Sequence, residues 1–273
     1  MRRAMPFDDR RSLSVAEAST RVAYPWIPDR RVKARGAMTD LRLTDVVFSR
    51  DGRPVFDGLS LTLSESRIGL IGRNGAGKSQ LLRLIAGLAA PDRGTVQIGD
   101  FHPAADRTRA IAAVGILFQN PDHQIIFPTV DEELAFGLGT LKHDKATKRD
   151  LVRAMLDRFG KIDWLGRNVQ TLSQGQRHLL CLMAVLLMQP KTILLDEPIA
   201  GLDMVTTLKL NAILDGLTQR LIHVTHDLSA LAQYDRVIWL DQGRVLGDGL
   251  PGDVIPAYRA AMQERAANDR ADL

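Results

Sequence analysis

Apolar and polar positions begin to alternate at Thr39-Asp40-Leu41-Arg42-Leu43 and continue to about Leu63. That period predicts short strands, with a turn at Ser49-Arg50-Asp51-Gly52-Arg53. The run Arg67-Ile68-Gly69-Leu70-Ile71 reads as a buried strand, and Leu81-Leu82-Arg83-Leu84-Ile85 places its apolar residues at helical spacing. After a turn cluster at Ala89–Gly94, Thr95–Gly99 is expected as an edge strand and Ile111–Phe118 as a buried one. From Thr129 to about Gln170 the period is mostly helical, so the chain reads as an α/β protein with a helical insertion. Leu179–Met188 is apolar all round and predicts a buried helix. Thr192–Leu195 and Leu221–Val224 have the look of short buried parallel strands. Val237–Leu240, the turn Asp241–Arg244 and Val245-Leu246 predict a hairpin, and a charged helix or frayed end follows from about Ala257.

Between the strand at Arg67–Ile71 and the helix at Leu81 lies Gly72-Arg73-Asn74-Gly75-Ala76-Gly77-Lys78-Ser79-Gln80. It satisfies G-x-x-x-x-G-K-[ST] in the strand–turn–helix setting that makes such a pattern a phosphate site. Glycines let the backbone curl so that successive N–H groups point inward at an anion, and the helix N-terminus adds its positive end. Lys78 would reach the β- and γ-phosphates, and the Ser79 hydroxyl would ligate Mg²⁺ beside them.

Composition narrows the setting. The 273 residues, 45% of them apolar, suffice for one large or two small domains. The longest apolar run, Leu179–Met188, is too short to cross a bilayer, and no charged-then-apolar leader opens the sequence, so a cytosolic setting is expected. Cys181 is the only cysteine, which excludes an internal disulfide and a cysteine-built metal cage. The net charge of +4 is not evenly spread: residues 1–37 hold nine Lys/Arg against four Asp/Glu, and the remainder is close to neutral. Such a remainder lacks the basic face of a duplex binder, so nucleic acid is not an expected partner. Residues 1–38 themselves have three readings, a disordered basic tail, an upstream extension with the working start at Met38, or a basic tail that touches anionic lipid.

Three further polar clusters fall at the C-terminal ends of the expected parallel strands, where open α/β sheets place their ligands. Asp196 can enter the shell of Mg²⁺, with Glu197 one step on to polarise an attacking water, although an acidic pair after a strand can also cap a helix. Gln119 can face the metal and the water, or be an ordinary loop amide. His226 can donate to the γ-phosphate, or be merely structural. Leu172-Ser173-Gln174-Gly175-Gln176-Arg177 opens the apolar helix, with Ser173 as its N-cap and Gly175 leaving the N-terminus open to an anion.

Together these residues resemble the ATP-binding cassette family over about residues 39–250. The resemblance implies an α/β P-loop NTPase fold with a mixed core sheet, an antiparallel β subdomain, a helical subdomain at about 121–178 and a C-terminal helical tail at 251–273. It makes ATP and Mg²⁺ the cofactors. Gly72, Arg73, Asn74, Gly75, Ala76, Gly77, Lys78, Ser79 and Gln80 would bind nucleotide, and Ser79, Gln119 and Asp196 would bind the metal. Glu197 is implied as the base, with Gln119 and His226 beside it. Ser173, Gln174, Gly175 and Gln176 stand where the family signature Leu-Ser-Gly-Gly-Gln is found and would face the ATP of a second subunit. Asp203, in Ala200-Gly201-Leu202-Asp203, would make a dimer contact.

Arg50 occupies the place where the family often has an adenine-stacking aromatic; its guanidinium can stack on a base instead. Gln174 replaces a signature glycine. Phe118–Val130, with Glu132-Glu133-Leu134-Ala135-Phe136-Gly137, looks like the ATPases of energy-coupling-factor importers; the signature is closest to their biotin-transport branch, and cobalt or nickel systems share most of these residues. That resemblance implies a homodimer or a pair with a paralogous ATPase, a transmembrane coupling protein and a substrate-binding membrane subunit. The chain would then work as a peripheral protein at the cytoplasmic face of the inner membrane.

Overall fold

The computed structural model describes residues 39–140 and 143–271, so the expectations for residues 1–38 lie outside the described residues. In chain order the elements are β1 (Leu41–Arg50), β2 (Arg53–Leu63), β3 (Arg67–Ile71), α1 (Lys78–Ile85), β4 (Arg93–Ile98), α2 (Arg107–Ala113) and β5 (Val114–Leu117). Then come α3 (Val130–Gly137), α4 (Lys145–Arg158), α5 (Gln174–Leu187), β6 (Thr192–Asp196), α6 (Met204–Asp215) and β7 (Arg220–Val224). The described chain closes with β8 (Arg236–Asp241), β9 (Arg244–Gly249) and α7 (Pro251–Ala271).

Two sheets form among the described residues. A three-stranded antiparallel sheet runs β2-β1-β4, and a six-stranded sheet runs β5-β6-β7-β3-β8-β9, parallel except for β9. β1 and β2 are longer than the short strands expected, ten and eleven residues. Positive φ at Asp51 and Gly52 makes their link a tight turn whose twist suits a hairpin.

Two boundaries differ from the sequence reading. Ile111–Ala113 is the end of helix α2, and only Val114–Leu117 is strand. Asp106 caps that helix by accepting from the Arg109 amide, and Ile111 is partly exposed, so an apolar run that reads as one strand is split between two elements. At the other end α7 starts at Pro251, where a proline's missing N–H costs nothing, and carries Pro256 inside it. The periodicity becomes helix-like only beyond that second proline, which explains the later expected start.

The six-stranded sheet separates two apolar clusters. One joins the helical insertion to the sheet through α5, whose residues Leu180 to Leu187 are all buried. Each such Leu contributes about 1.5–3 kcal/mol of burial. Cys181 lies in this layer, and burial pushes its thiol up to about 12, leaving it protonated and inert. The second cluster packs α1 between the two sheets. A smaller one seats α7 on β8 through Val254, Ile255 and Tyr258, with Tyr258 edge-on to Trp239.

Candidate functional site

Four neighbouring parallel strands, β5, β6, β7 and β3, deliver the chemistry at their C-terminal ends. The loop after β3 is held from below. A Cβ at Gly72 would overlap the Leu240 carbonyl oxygen, and one at Gly77 would strike the Phe56 ring and Val55, so only glycine lets the loop lie this close. The Gly243 amide donates to Ala76 O at 3.1 Å, pinning the loop to the turn after β8.

Lys78 is buried. Its Nζ donates to Gly72 O at 2.6 Å and Arg73 O at 2.9 Å, closing the loop around its own ammonium. Burial pulls its pKa down, and the carboxylates of Glu197 and Asp196 oppose that shift. Helix α1 follows its N-cap Gly77 with no side-chain cap and no acidic residue in its first turn, so its first amides remain free to meet an anion. Arg73, Asn74 and Gly75 are exposed at the mouth, whereas Gln80 keeps a buried Oε1 without a hydrogen-bond partner.

Across from the loop, Ser79 Oγ donates to Asp196 Oδ1 at 3.1 Å. Burial raises the Asp196 pKa; the Ser79 hydrogen bond counters it, Glu197 adds to it, and Lys78 again lowers it. A hydroxyl and a half-buried carboxylate side by side form the kind of oxygen pair Mg²⁺ takes when phosphates complete its shell.

Glu197 has φ 51°, a left-handed conformation that costs a non-glycine residue roughly 1–3 kcal/mol. Its amide donates to Val224 O at 2.9 Å and its carbonyl accepts from Ala200 N, and these bonds hold the strained residue in place. The Glu197 carboxylate sits between two arms: His226 Nε2 is 3.0 Å from Oε1, and Gln119 Nε2 lies 3.4 Å from Oε2, the outer limit of a hydrogen bond. Asp227 orders the His226 loop by accepting from Ser229 N, while its own amide donates to Thr225 Oγ1.

The structure therefore brings Gly72–Ser79, Asp196, Glu197, Gln119 and His226 into one site. The other expected residues stand apart from it. Ser173 accepts from the Gln176 amide at 3.3 Å, and Gln176 Oε1 accepts from the Ser173 amide at 2.8 Å, a reciprocal cap on α5. Gly175 packs on Thr206, and Gln174 faces Gly201. Asp203 caps α6 by accepting from Thr206 N and Oγ1; the Thr206 hydroxyl is the main cause of its lowered pKa. A groove of about 470 Å³, lined by Gln119, Asn120, Gln174, Arg177, Ala200 and Gly201 among others, lies between this cluster and the Gln119 segment. Arg50 ends β1 and is exposed, its Nε 3.5 Å from the Asp51 carboxylate.

Several contributors escape sequence reasoning. Val55 and Phe56 back the phosphate loop, Gly243 anchors it, and buried His178 touches both Gln119 O and Gln174 O. None has a motif, because each is brought in by contacts far along the chain.

The family model described as ABC transporter matches residues 56–200. Over 229 residues the chain is 50% identical to the biotin transport ATP-binding protein BioM of Rhodobacter capsulatus, covering 84% of this chain and 98% of that one. It is 31% identical over 233 residues to the energy-coupling factor transporter ATP-binding protein EcfA1 of Leuconostoc mesenteroides, covering 82% and 85%. Among solved structures, CbiO1 of Clostridium perfringens, part of the ABC transporter complex CbiONQ, superposes with a TM-score of 0.69 at 26% identity. That superposition spans 85% of this chain and 96% of the other.

Proposed function

This chain belongs to the ABC transporter family, and from that premise we propose that it is the ATP-hydrolysing subunit of an energy-coupling-factor importer for biotin. The observation that carries the hydrolytic part is the Glu197 carboxylate set between His226 and Gln119, beside Lys78 and the Ser79–Asp196 pair. The biotin assignment is supported by the 50% identity to BioM along nearly that protein's whole length.

In this reading the α1 amides and the backbone of Gly72–Gly77 cradle the phosphates. Lys78 exchanges the carbonyls of Gly72 and Arg73 for β- and γ-phosphate oxygens. Mg²⁺ would be held by Ser79 and Asp196, with Gln119 at its edge, and when bound it neutralises phosphate charge. Glu197 orients the attacking water and accepts its proton, and His226 swings from Glu197 to donate to a γ-phosphate oxygen. Arg50 stacks its guanidinium on the base.

A second subunit, identical or paralogous, supplies Ser173 and Gly175 to the same γ-phosphate, with Gln174 and Gln176 shaping that turn and Asp203 contacting across the dimer. No helix among the described residues is long and apolar enough to cross a membrane. The chain acts peripherally, at the cytoplasmic face of the inner membrane, on a transmembrane coupling protein joined to a substrate-binding membrane subunit.

Two measurements test this. Phosphate release should vanish in Lys78→Ala and fall roughly 10²–10⁴-fold in Glu197→Gln, which still binds ATP; wild-type turnover by either variant overturns its role. Capture of the tagged protein from native membranes should bring down a coupling protein with a biotin-binding membrane subunit. A metal-binding or other vitamin-binding subunit would keep the motor and replace the cargo; recovery of soluble machinery alone would remove the transport reading.

A further inference from the structure

His178 is fully buried on α5, one turn beyond the start of the helix, and it belongs to no motif. Its ring reaches its own helix and a segment 59 residues earlier in sequence: Nδ1 lies 3.1 Å from Gln174 O and Nε2 3.1 Å from Gln119 O. Both partners are backbone carbonyls, which only accept. Gln174 O belongs to a helix, where the amide four residues on can donate to it, whereas Gln119 O lies in a loop. A neutral ring has one N–H, and on Nε2 it serves the carbonyl with no helical donor.

Two other residues of the same helix face also hold this segment. Arg177 Nε is 3.1 Å from Asp122 Oδ1, a partly exposed ion pair that solvent weakens. Cys181 Sγ reaches Pro121 O only at 4.0 Å, a weak donor at long range. His178 is thus the strongest tie of the three: buried, directional and aimed at the residue whose side chain touches Glu197.

We propose that His178 is a positioning residue that locks the Gln119 segment to the first turn of α5, so that the two move as one body. Gln119 belongs to this subunit's own nucleotide site, whereas Ser173 and Gly175 open the same helix and face the partner's nucleotide. His178 therefore links the two ATP sites of a dimer. This rests on the site assignments of the proposed function.

The test uses ring mimicry in the full-length chain. Asn places an amide where Nδ1 stood, within reach of Gln174 O alone, and loses the tie to Gln119 O; Gln places one where Nε2 stood and keeps that tie. His178→Asn should lower kcat for ATP roughly tenfold with KM within about twofold, while His178→Gln stays within about threefold of wild type. Amide hydrogen exchange over residues 119–122 should rise in His178→Asn and not in His178→Gln. Equal kcat in two variants that both still turn over ATP, or equal exchange, overturns the proposal. Exchange also decides the matter where turnover is lost altogether. A Lys78→Ala control that still hydrolyses ATP would instead bring down the site assignment, leaving exchange alone to judge the tie.

Discussion

Two helices of this molecule open on glycine-bearing turns, and they treat their first amides in opposite ways. Helix α1 follows its N-cap Gly77, which offers no side-chain cap, and the ammonium beside it is occupied only with carbonyls of its own loop. Helix α5 follows its N-cap Ser173, and the capping box with Gln176 satisfies two amides from within the turn. Neither first turn holds an acidic residue, in contrast to α3, whose first turn has Asp131, Glu132 and Glu133. Both starts suit an anion, but two amides of the α5 turn already have side-chain acceptors, whereas α1 has no side-chain cap. In the proposed function the turn at Ser173 adds to a phosphate brought by a partner. Ser173 caps with an oxygen lone pair, so its hydroxyl hydrogen remains free to donate.

Breaking the α1 side should have the largest effect. Gly72→Ala places a methyl on the Leu240 carbonyl at a φ of 147°, so the loop must shift as backbone against backbone. Nucleotide affinity, read by titration with a fluorescent ATP analogue, should fall roughly 100-fold; a change below about twofold would mean that close packing of the loop is not what builds the site.

An intermediate effect concerns the sheet that feeds the loop. His223 on β7 pairs in register with Gly69 on β3, is buried, and bonds Tyr234 Oη at 2.9 Å. Burial lowers its pKa from the usual 6.5 to about 4. Between those values the unfolded chain binds the extra proton, so this stability is fully present above pH 6.5 and is lost as pH falls through about 4. The loss is on the order of 3 kcal/mol. Denaturant melts from pH 7 to 4 should show it, and His223→Leu should flatten that part of the profile. An unchanged slope in the variant would assign acid sensitivity elsewhere.

The smallest effect sharpens the α5 side. Ser173→Ala should cost about 1 kcal/mol of stability as a lost cap. Ser173→Asn restores a cap but not the hydroxyl, so it should recover the melting temperature and leave ATP turnover low. Recovery of both would reduce Ser173 to a cap alone.

Much of the site was legible because its chemistry is local. The phosphate loop is one unbroken stretch, and Asp196, Glu197, Gln119 and His226 each follow a readable apolar strand. What was misread had mixed local signals. Ile111–Ala113 is apolar enough for a strand but is drawn into α2 by the Asp106 cap, and Pro256 conceals the true start of α7.

By itself, the sequence determined which residue types stand at the strand ends and which turn can lie close enough to hold a phosphate, since both depend on steric and periodic rules acting over a few residues. Only the tertiary structure decided which of them meet. The order β5-β6-β7-β3 sets Gln119, Glu197, His226 and the loop side by side, though the chain visits those strands in another sequence. The same folding gives Glu197 its left-handed backbone and places a motif-less His178 between Gln119 and Gln174. Hydrogen bonds between distant segments depend on sheet order and helix packing, and no local pattern carries that information.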